Sequence, residues 1–384
     1  MLRGDANMAD DVQRASELTR GEDTDAIFSF ACFGAPVDPQ TAEDVLAGIQ
    51  CAVELNSRPV FLEGLAERLT ELGVPCSADD REVMLAEVKK RYQAILGKPC
   101  PKAVQNWLHG TVPGITNRVN NYDLCYALEM NFRQTALFFQ KHFLTIPFNV
   151  KSREDAVYCY CLYHQKPYAT VLQMLSESEG YVPQENAHTS TSQVMSAIMQ
   201  QDDDAAFMQY LASHCYNNEQ QFQKARALIL KELDQIKRTI QDDETKDILS
   251  DDRMNSAVIA ELFGYRYQSS LKDGEKPQLP KRFAESLPND VTLGKIINGK
   301  TASYELLRKT LLLLRFYNFY SSNPNTDKDE ITNNLLDFYE ETDAVLHSCG
   351  FAQIYFCHPF DCLLMYCANS YDPILTMHLI NERN

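Results

Sequence analysis

The chain has 384 residues, with 36 Lys and Arg against 53 Asp and Glu, a net charge of −17. Only 15 Gly and 16 Pro over this length favour helices over a many-stranded sandwich or barrel, and 45% hydrophobic residues excludes wholesale disorder. No apolar run reaches the roughly 18 residues of a membrane helix, and the polar start MLRGDANMADDVQ excludes a secretory signal, so a soluble, cytoplasmic chain with no membrane partner is expected.

Residues 1–25 read as a flexible acidic arm. An N-terminal helical region, 26–80, follows. In it Thr41–Leu55 and Val60–Leu72 show apolar residues at three- and four-residue steps, and Gly73 is a stop. Residues 81–175 form the next unit. Asp80 is placed to cap a helix to Leu96, ended by Gly97, and Pro101 is suited to open a short helix that ends at Gly110. Asn117–Leu128 and Phe132–Phe143 are two more helices. Ser152 with Asp155 has the spacing of a capping box for a helix through Tyr163, and Pro167 opens one through Leu175.

The polar stretch 176–192 reads as a linker. In the amphipathic region 193–271, Asp202-Asp203-Asp204 precede a helix, and Phe222, Ala225, Ile229, Leu233, Ile236 and Ile240 form one stripe. A second polar stretch, 272–281, leads to a C-terminal helical domain, 282–384. Tyr304–Tyr320 and Glu330–Leu346 are its strong helices, and Asp372-Pro373 caps the last. No segment sustains a period of two. The expectation is an all-α, multi-helix, two-lobed protein joined near 176–192 or 272–281.

Charge is uneven along the chain. Residues 1–80 hold 5 basic and 16 acidic side chains, whereas Lys89 to Tyr122 carries Lys89, Lys90, Arg91, Lys98, Lys102 and Arg118 and no acid. An acidic whole disfavours polyanions, but such an island can still attract them. The 12 cysteines include no C-x-x-C pair. Cys357, His358, Cys362 and Cys367 are the best-spaced metal candidates, yet five-residue steps turn the thiols to different sides of one helix. Reduced, structural cysteines are expected, with no metal and no cofactor.

The segment 93–130 carries the functional reading. Leu96-Gly97 precedes a helix from Pro101 to His109 with Val104 and Leu108 four apart; Gly110, Pro113 and Ala127-Leu128 follow. This pattern resembles the helix-turn-helix of lambda-repressor-like (XRE-type) regulators over about residues 85–145. The turn after Gly97 holds one residue more than that pattern, and two prolines, Pro99 and Pro101. The resemblance implies such a motif in the N-terminal lobe and duplex DNA as partner. Trp107-Leu108-His109-Gly110 with Pro113, and a later Arg308-Lys309-Thr310 run ending in Phe316-Tyr317-Asn318-Phe319, also resemble uncharacterised bacterial proteins of mobile elements and phage defence.

On this short helix Val104, Trp107 and Leu108 share a core face, leaving Lys102, Gln105, Asn106 and His109 to read base edges. Lys89, Lys90, Arg91, Lys98 and Arg118 are the phosphate contacts. Ile296-Ile297-Asn298-Gly299 partly repeats Trp107-Leu108-His109-Gly110, so 286–319 reads as a second helix-turn-helix-like unit, which either binds DNA or only packs.

A rival motif overlaps this repeat. Gly294 to Thr301 satisfies G-x-x-x-x-G-K-[ST], making Gly299, Lys300 and Thr301 candidate nucleotide contacts. Its interior is bulky, and its only available strand would be 290–293. No G-x-S-x-G, H-E-x-x-H or dinucleotide turn occurs, and the eight histidines are scattered, so no catalytic residue is assigned. The leading expectation is a non-enzymatic, DNA-binding transcription regulator of bacterial or phage type, with the helices beyond 190 serving self-association or partner sensing. The alternatives are a helical protein-interaction or phage-defence accessory without DNA binding, and a P-loop nucleotide-binding protein.

Overall fold

The computed structural model of the chain describes residues 36–39, 41, 44–45, 47, 60–111, 113, 118–143, 145–181, 191–243, 251–264, 286–300, 302–355 and 358–379. The expected helix at Thr41–Leu55 and the stretch 272–281 fall largely or wholly outside these. Among the described residues there are sixteen α-helices and no strand, only two isolated bridges, Val37 with Ser370 and Ser152 with Tyr216. The protein is all-α. It divides into two units. The first holds the described residues within 56–220 and 350–353, the second those within 24–55, 221–349 and 354–384. The described residues on both sides of the polar stretch 176–192 belong to the first unit, so the division falls at Gln220–Gln221.

In the first unit α1 is Val60–Glu71, stopped by Gly73 at φ +84°. Helix α2, Arg81–Arg91, runs into a wider π turn, Tyr92–Leu96, ended by Gly97 at φ +67°. Then come α3 (Lys102–Leu108), α4 (Arg118–Ala127), α5 (Phe132–Phe138, with a π turn Phe139–Phe143), α6 (Arg153–Tyr163), α7 (Tyr168–Glu177), α8 (Thr191–Met199) and α9 (Asp204–His214). Helix α6 is central: its Ala156 to Cys161 are fully buried, and α4, α5, α7, α8 and α9 pack on it. The aromatics of α1, α3 and the π turn after α5 meet nearby, with Phe61 edge-on to Trp107 at 5.9 Å and stacked on Phe143 at 5.9 Å. Each such pair contributes about 0.5–1.5 kcal/mol beyond its buried area.

Three expected helix starts differ in the structure. The Asp80 carboxylate accepts from the Ser77 backbone at 2.8 Å and hydroxyl at 2.7 Å, so it closes the preceding turn and leaves α2 without a side-chain cap. Pro101 sits one position before α3, extended at ψ 147°. Ser152 precedes α6 but makes no capping bond, and Asp155 is engaged elsewhere.

That engagement organises the unit. Asp155 is 1% exposed and Arg118 is 9% exposed. The Arg118 Nε donates to both carboxylate oxygens at 3.1 and 2.9 Å, the Tyr122 hydroxyl donates at 2.9 Å, and the Asn149 backbone N–H at 2.7 Å. Arg118 also donates to the Ile146 carbonyl at 2.9 Å, and Phe148 N–H donates to the Tyr122 hydroxyl at 3.0 Å. One buried ion pair thus joins α4, α6 and the 145–150 connection.

In the second unit α10 (Asn218–Asp243) buries the whole stripe Phe222, Ala225, Ile229, Leu233, Ile236 and Ile240. It is followed by α11 (Asp251–Phe263), α12 (Asp290–Ile297), α13 (Tyr304–Ser322), α14 (Lys328–Ser348), α15 (Pro359–Ala368) and α16 (Pro373–Leu379). Asn289 and Thr292 form a reciprocal cap on α12, and Asp372 accepts from Leu375 N–H at 2.9 Å to start α16. Here too a buried pair joins helices. Arg308 of α13 donates to Asp361 of α15 through both terminal nitrogens, at 2.8 and 2.6 Å, and the Tyr355 backbone N–H donates at 2.9 Å. The His358 Nδ1 lies 3.2 Å away. Burial alone would raise the Asp361 carboxyl; the Arg308 and His358 charges outweigh it and hold it well below the usual carboxylate range.

Breaking a buried pair on one side leaves an uncompensated charge. Arg118→Met is therefore expected to cost roughly 3–5 kcal/mol in urea unfolding, and Arg118→Met with Asp155→Leu markedly less; equal losses would contradict a linked pair. Asp361 has its carboxyl depressed on folding. Its contribution is present above the unfolded value near about pH 3.9 and is lost as pH falls below it. Urea midpoints between pH 6 and pH 3 should fall more steeply for the wild type than for Asp361→Asn.

Candidate nucleic-acid interface

The short helix α3 is held by its apolar side. Val104 and Leu108 are fully buried and Trp107 nearly so, and α3 packs on α2 and α4. Helix α3 ends in a glycine turn: Gly110, at φ +101°, donates to the Trp107 carbonyl at 3.0 Å, and Thr111 N–H to that of Asn106 at 3.1 Å. Its other side faces outward. Lys102, Ala103, Asn106 and His109 are exposed, and Gln105 is half-buried. Of the four expected base-reading residues, Gln105 is partly engaged, because its amide donates to the Cys100 carbonyl at 2.8 Å and closes the turn before α3.

The expected phosphate contacts separate into two groups. Lys89 and Lys90 on α2 are exposed. Lys90 meets Glu87 at 3.1 Å with its side chain 74% exposed, a surface pair worth at most about 1 kcal/mol and easily released. Arg91, Lys98 and Arg118 are corrections to the sequence expectation. Arg91 is clamped between Glu87 at 2.9 Å and Glu129 at 2.7 Å. Lys98 lies 2.6 Å from Asp123 and 2.6 Å from the Tyr168 hydroxyl. Burial would lower the Lys98 ammonium, but these two partners raise it. Arg118 is the buried core cation described above. All four acids, Glu87, Glu129, Asp123 and Asp155, lie outside the Lys89–Tyr122 stretch, so a count within it could not reveal the pairing. Arg81 was missed for the converse reason. It lies outside the island in sequence, yet it is exposed, and its Nη1 comes within 3.4 Å of where a Cβ on Gly110 would stand.

Exposed on and around α3 are thus Lys102, Asn106 and His109 of α3 itself, Lys89 and Lys90 in the last turn of α2, and Arg81 at its start, beside Gly110. Exposed Val83 and Ile95 stand on α2 and its π turn. The Cys100 thiol is pushed up to about 11, burial outweighing the Lys89 charge, which suits a packing residue rather than a nucleophile.

The nucleotide motif takes a different form from a P-loop. Residues 290–293 begin α12 instead of forming a strand, and Gly294 to Ile297 are helical. Gly299, at φ +71°, is the glycine turn after α12, where helix carbonyls rather than N–H groups point outward. The Ile296 and Ile297 carbonyls accept from Arg226 at 3.0 and 2.6 Å. Lys300 is exposed beside a helix C-terminus, and Thr301 lies outside the described residues. Of the cysteine-rich C-terminal group, Cys357 is likewise outside, Cys362 and Cys367 are buried, and His358 bonds to Asp361. No group of three metal-ligating side chains occurs among the described residues, and no described helix is long and apolar enough to cross a membrane.

Magnesium-ATP at millimolar concentration is expected to leave the melting temperature of the chain and of Lys300→Ala unchanged; a rise in the wild type that Lys300→Ala abolishes would contradict the helical assignment. No protein-family model, curated protein or solved structure matches the chain.

Proposed function

We propose that the chain is a non-enzymatic, DNA-binding regulator of the lambda-repressor-like kind, reading duplex DNA with the outward flank of α3. One observation carries this reading. A helix anchored by Val104, Trp107 and Leu108 exposes Lys102, Asn106 and His109 together. Such a helix fits the major groove, where an asparagine amide pairs with adenine and a lysine with guanine or phosphate. Lys89, Lys90 and Arg81 supply the surrounding positive charge, which sets affinity and orientation. With Arg91, Lys98 and Arg118 withdrawn into ion pairs, binding rests on few phosphate contacts, and base contacts carry a larger share of it.

A second reading is a helical interaction or phage-defence accessory that binds protein alone. It is favoured by those same withdrawn cations and by the exposed large apolar side chains Val83 and Ile95.

Selection from a randomised duplex pool, followed by fluorescence titration at several salt concentrations, separates the two. A preferred sequence should emerge, Asn106→Ala should lose the preference by about 1–3 kcal/mol, and Lys89→Ala, Lys90→Ala and Lys102→Ala together should reduce the salt slope by about three. Absence of binding at 50 mM salt, with a protein partner whose binding is lost in Val83→Asp or Ile95→Asp, would select the second reading.

A further inference from the structure

The second unit follows the helix plan of the first. Among the described residues, α1–α7 of the first unit have seven counterparts in the second, α10–α16, in the same order. The second helix packs on the third and fourth in both, the fifth on the sixth and the sixth on the seventh; the seventh returns to the second helix or its terminal turn. Each second helix ends in a left-handed glycine, Gly97 or Gly264.

Details repeat at constant offsets. Gly299 donates to the Ile296 carbonyl at 3.0 Å and Lys300 N–H to that of Lys295 at 2.9 Å, matching the glycine turn after α3 bond for bond 189 residues earlier (299 − 110). The residues before the two glycines have nearly equal backbone angles, His109 at φ −89°, ψ 7° and Asn298 at φ −82°, ψ 10°.

The buried pairs correspond as well. An arginine of the fourth helix grips an aspartate at the third position of the sixth, and that aspartate accepts the backbone N–H six residues upstream, Asn149 or Tyr355. Asp155, Tyr160, Cys161, Pro167 and Thr170 recur as Asp361, Tyr366, Cys367, Pro373 and Thr376, all 206 residues on (361 − 155). Agreement in helix order, packing, glycine turns and the carboxylate knot marks one duplicated structural unit.

The duplication makes α12 the counterpart of α3. Leu293 and Ile296 anchor it, and Val291, Lys295, Asn298 and Lys300 face outward where Lys102, Asn106, His109 and Thr111 do on α3. Its outward side differs in chemistry. Two exposed lysines stand there, and Arg226 stands close by, its Nε 3.8 Å from the position of a Cβ on Gly299. Valine replaces the lysine at the first exposed position, and the Asn298 amide donates to its own helix, at the Gly294 carbonyl, at 2.8 Å. The face keeps positive charge and loses free amide groups for base edges.

We infer that α12 is a second, sequence-indifferent DNA contact, in which Lys295 and Lys300 hold the phosphate backbone of duplex DNA. This rests on the reading of α3 as a DNA-reading helix. The full chain is titrated with a labelled duplex over a range of salt. Lys295→Ala with Lys300→Ala should lower the salt slope by about two without changing which sequence is preferred, and the double arginine variant should retain the wild-type slope. An unchanged slope for the alanine pair, while Lys102→Ala with Asn106→Ala weakens binding, overturns this inference and leaves the α3 reading standing. A shift in sequence preference in the alanine pair overturns its sequence-indifferent character. Absence of wild-type binding at low salt overturns both.

Discussion

A buried arginine–aspartate pair is the constraint on which each unit depends. Desolvating two charges costs several kcal/mol per ion, so the pair persists because the carboxylate also accepts hydrogen bonds beyond the arginine's. Asp155 receives Arg118, the Tyr122 hydroxyl and the Asn149 backbone; Asp361 receives Arg308, His358 and the Tyr355 backbone. Because one partner lies at the entry of a helix and the other on a helix distant in sequence, the pair fixes both the path of the incoming loop and the helix packing. Apolar burial alone, being non-directional, would leave that register loose.

The same electrostatics decides what remains for function. Cations that the sequence offers as one island are divided by folding into two populations. Arg118 holds the core, Lys98 joins Asp123 and Tyr168 near the surface, and Arg91 ties α2 to the end of α4. Lys89, Lys90 and Lys102 keep their exposure. The free charge on the α3 face is thus smaller than the local composition suggests, and its recognition chemistry shifts toward the side chains of α3. In the second unit the balance is reversed, with free lysines at α12 and an amide turned back on its own helix.

Much of this was legible in the sequence. Three- and four-residue apolar steps located α1 and α10, the long helices α13 and α14 stood out, and Val104, Trp107 and Leu108 identified the buried side of α3. Glycines at 73, 97 and 110 marked real helix ends because each needs a positive φ. What escaped depended on distant partners. Ser152 and Asp155 have capping spacing, yet an arginine from α4 competes for the carboxylate. Gly294 to Thr301 satisfies a phosphate-loop pattern, yet the preceding Asn289–Thr292 cap begins a helix there. The repeat around Gly299 was visible as four residues; its extent emerged only when hydrogen bonds and helix order could be compared, since few side chains besides Asp361, Tyr366, Cys367, Pro373 and Thr376 preserve it.

The most direct measurement is lysine acetylation of the intact chain, read by mass spectrometry with and without saturating duplex DNA. In the free chain Lys89, Lys90, Lys102, Lys295 and Lys300 should react quickly, and Lys98, held by Asp123 and Tyr168, slowly. On adding DNA, Lys102 and its neighbours on α2 should become protected. Equal reactivity of Lys98 and Lys102 in the free chain would contradict the division of cations, and an unprotected Lys102 in the presence of bound DNA would contradict the placement of α3 against it.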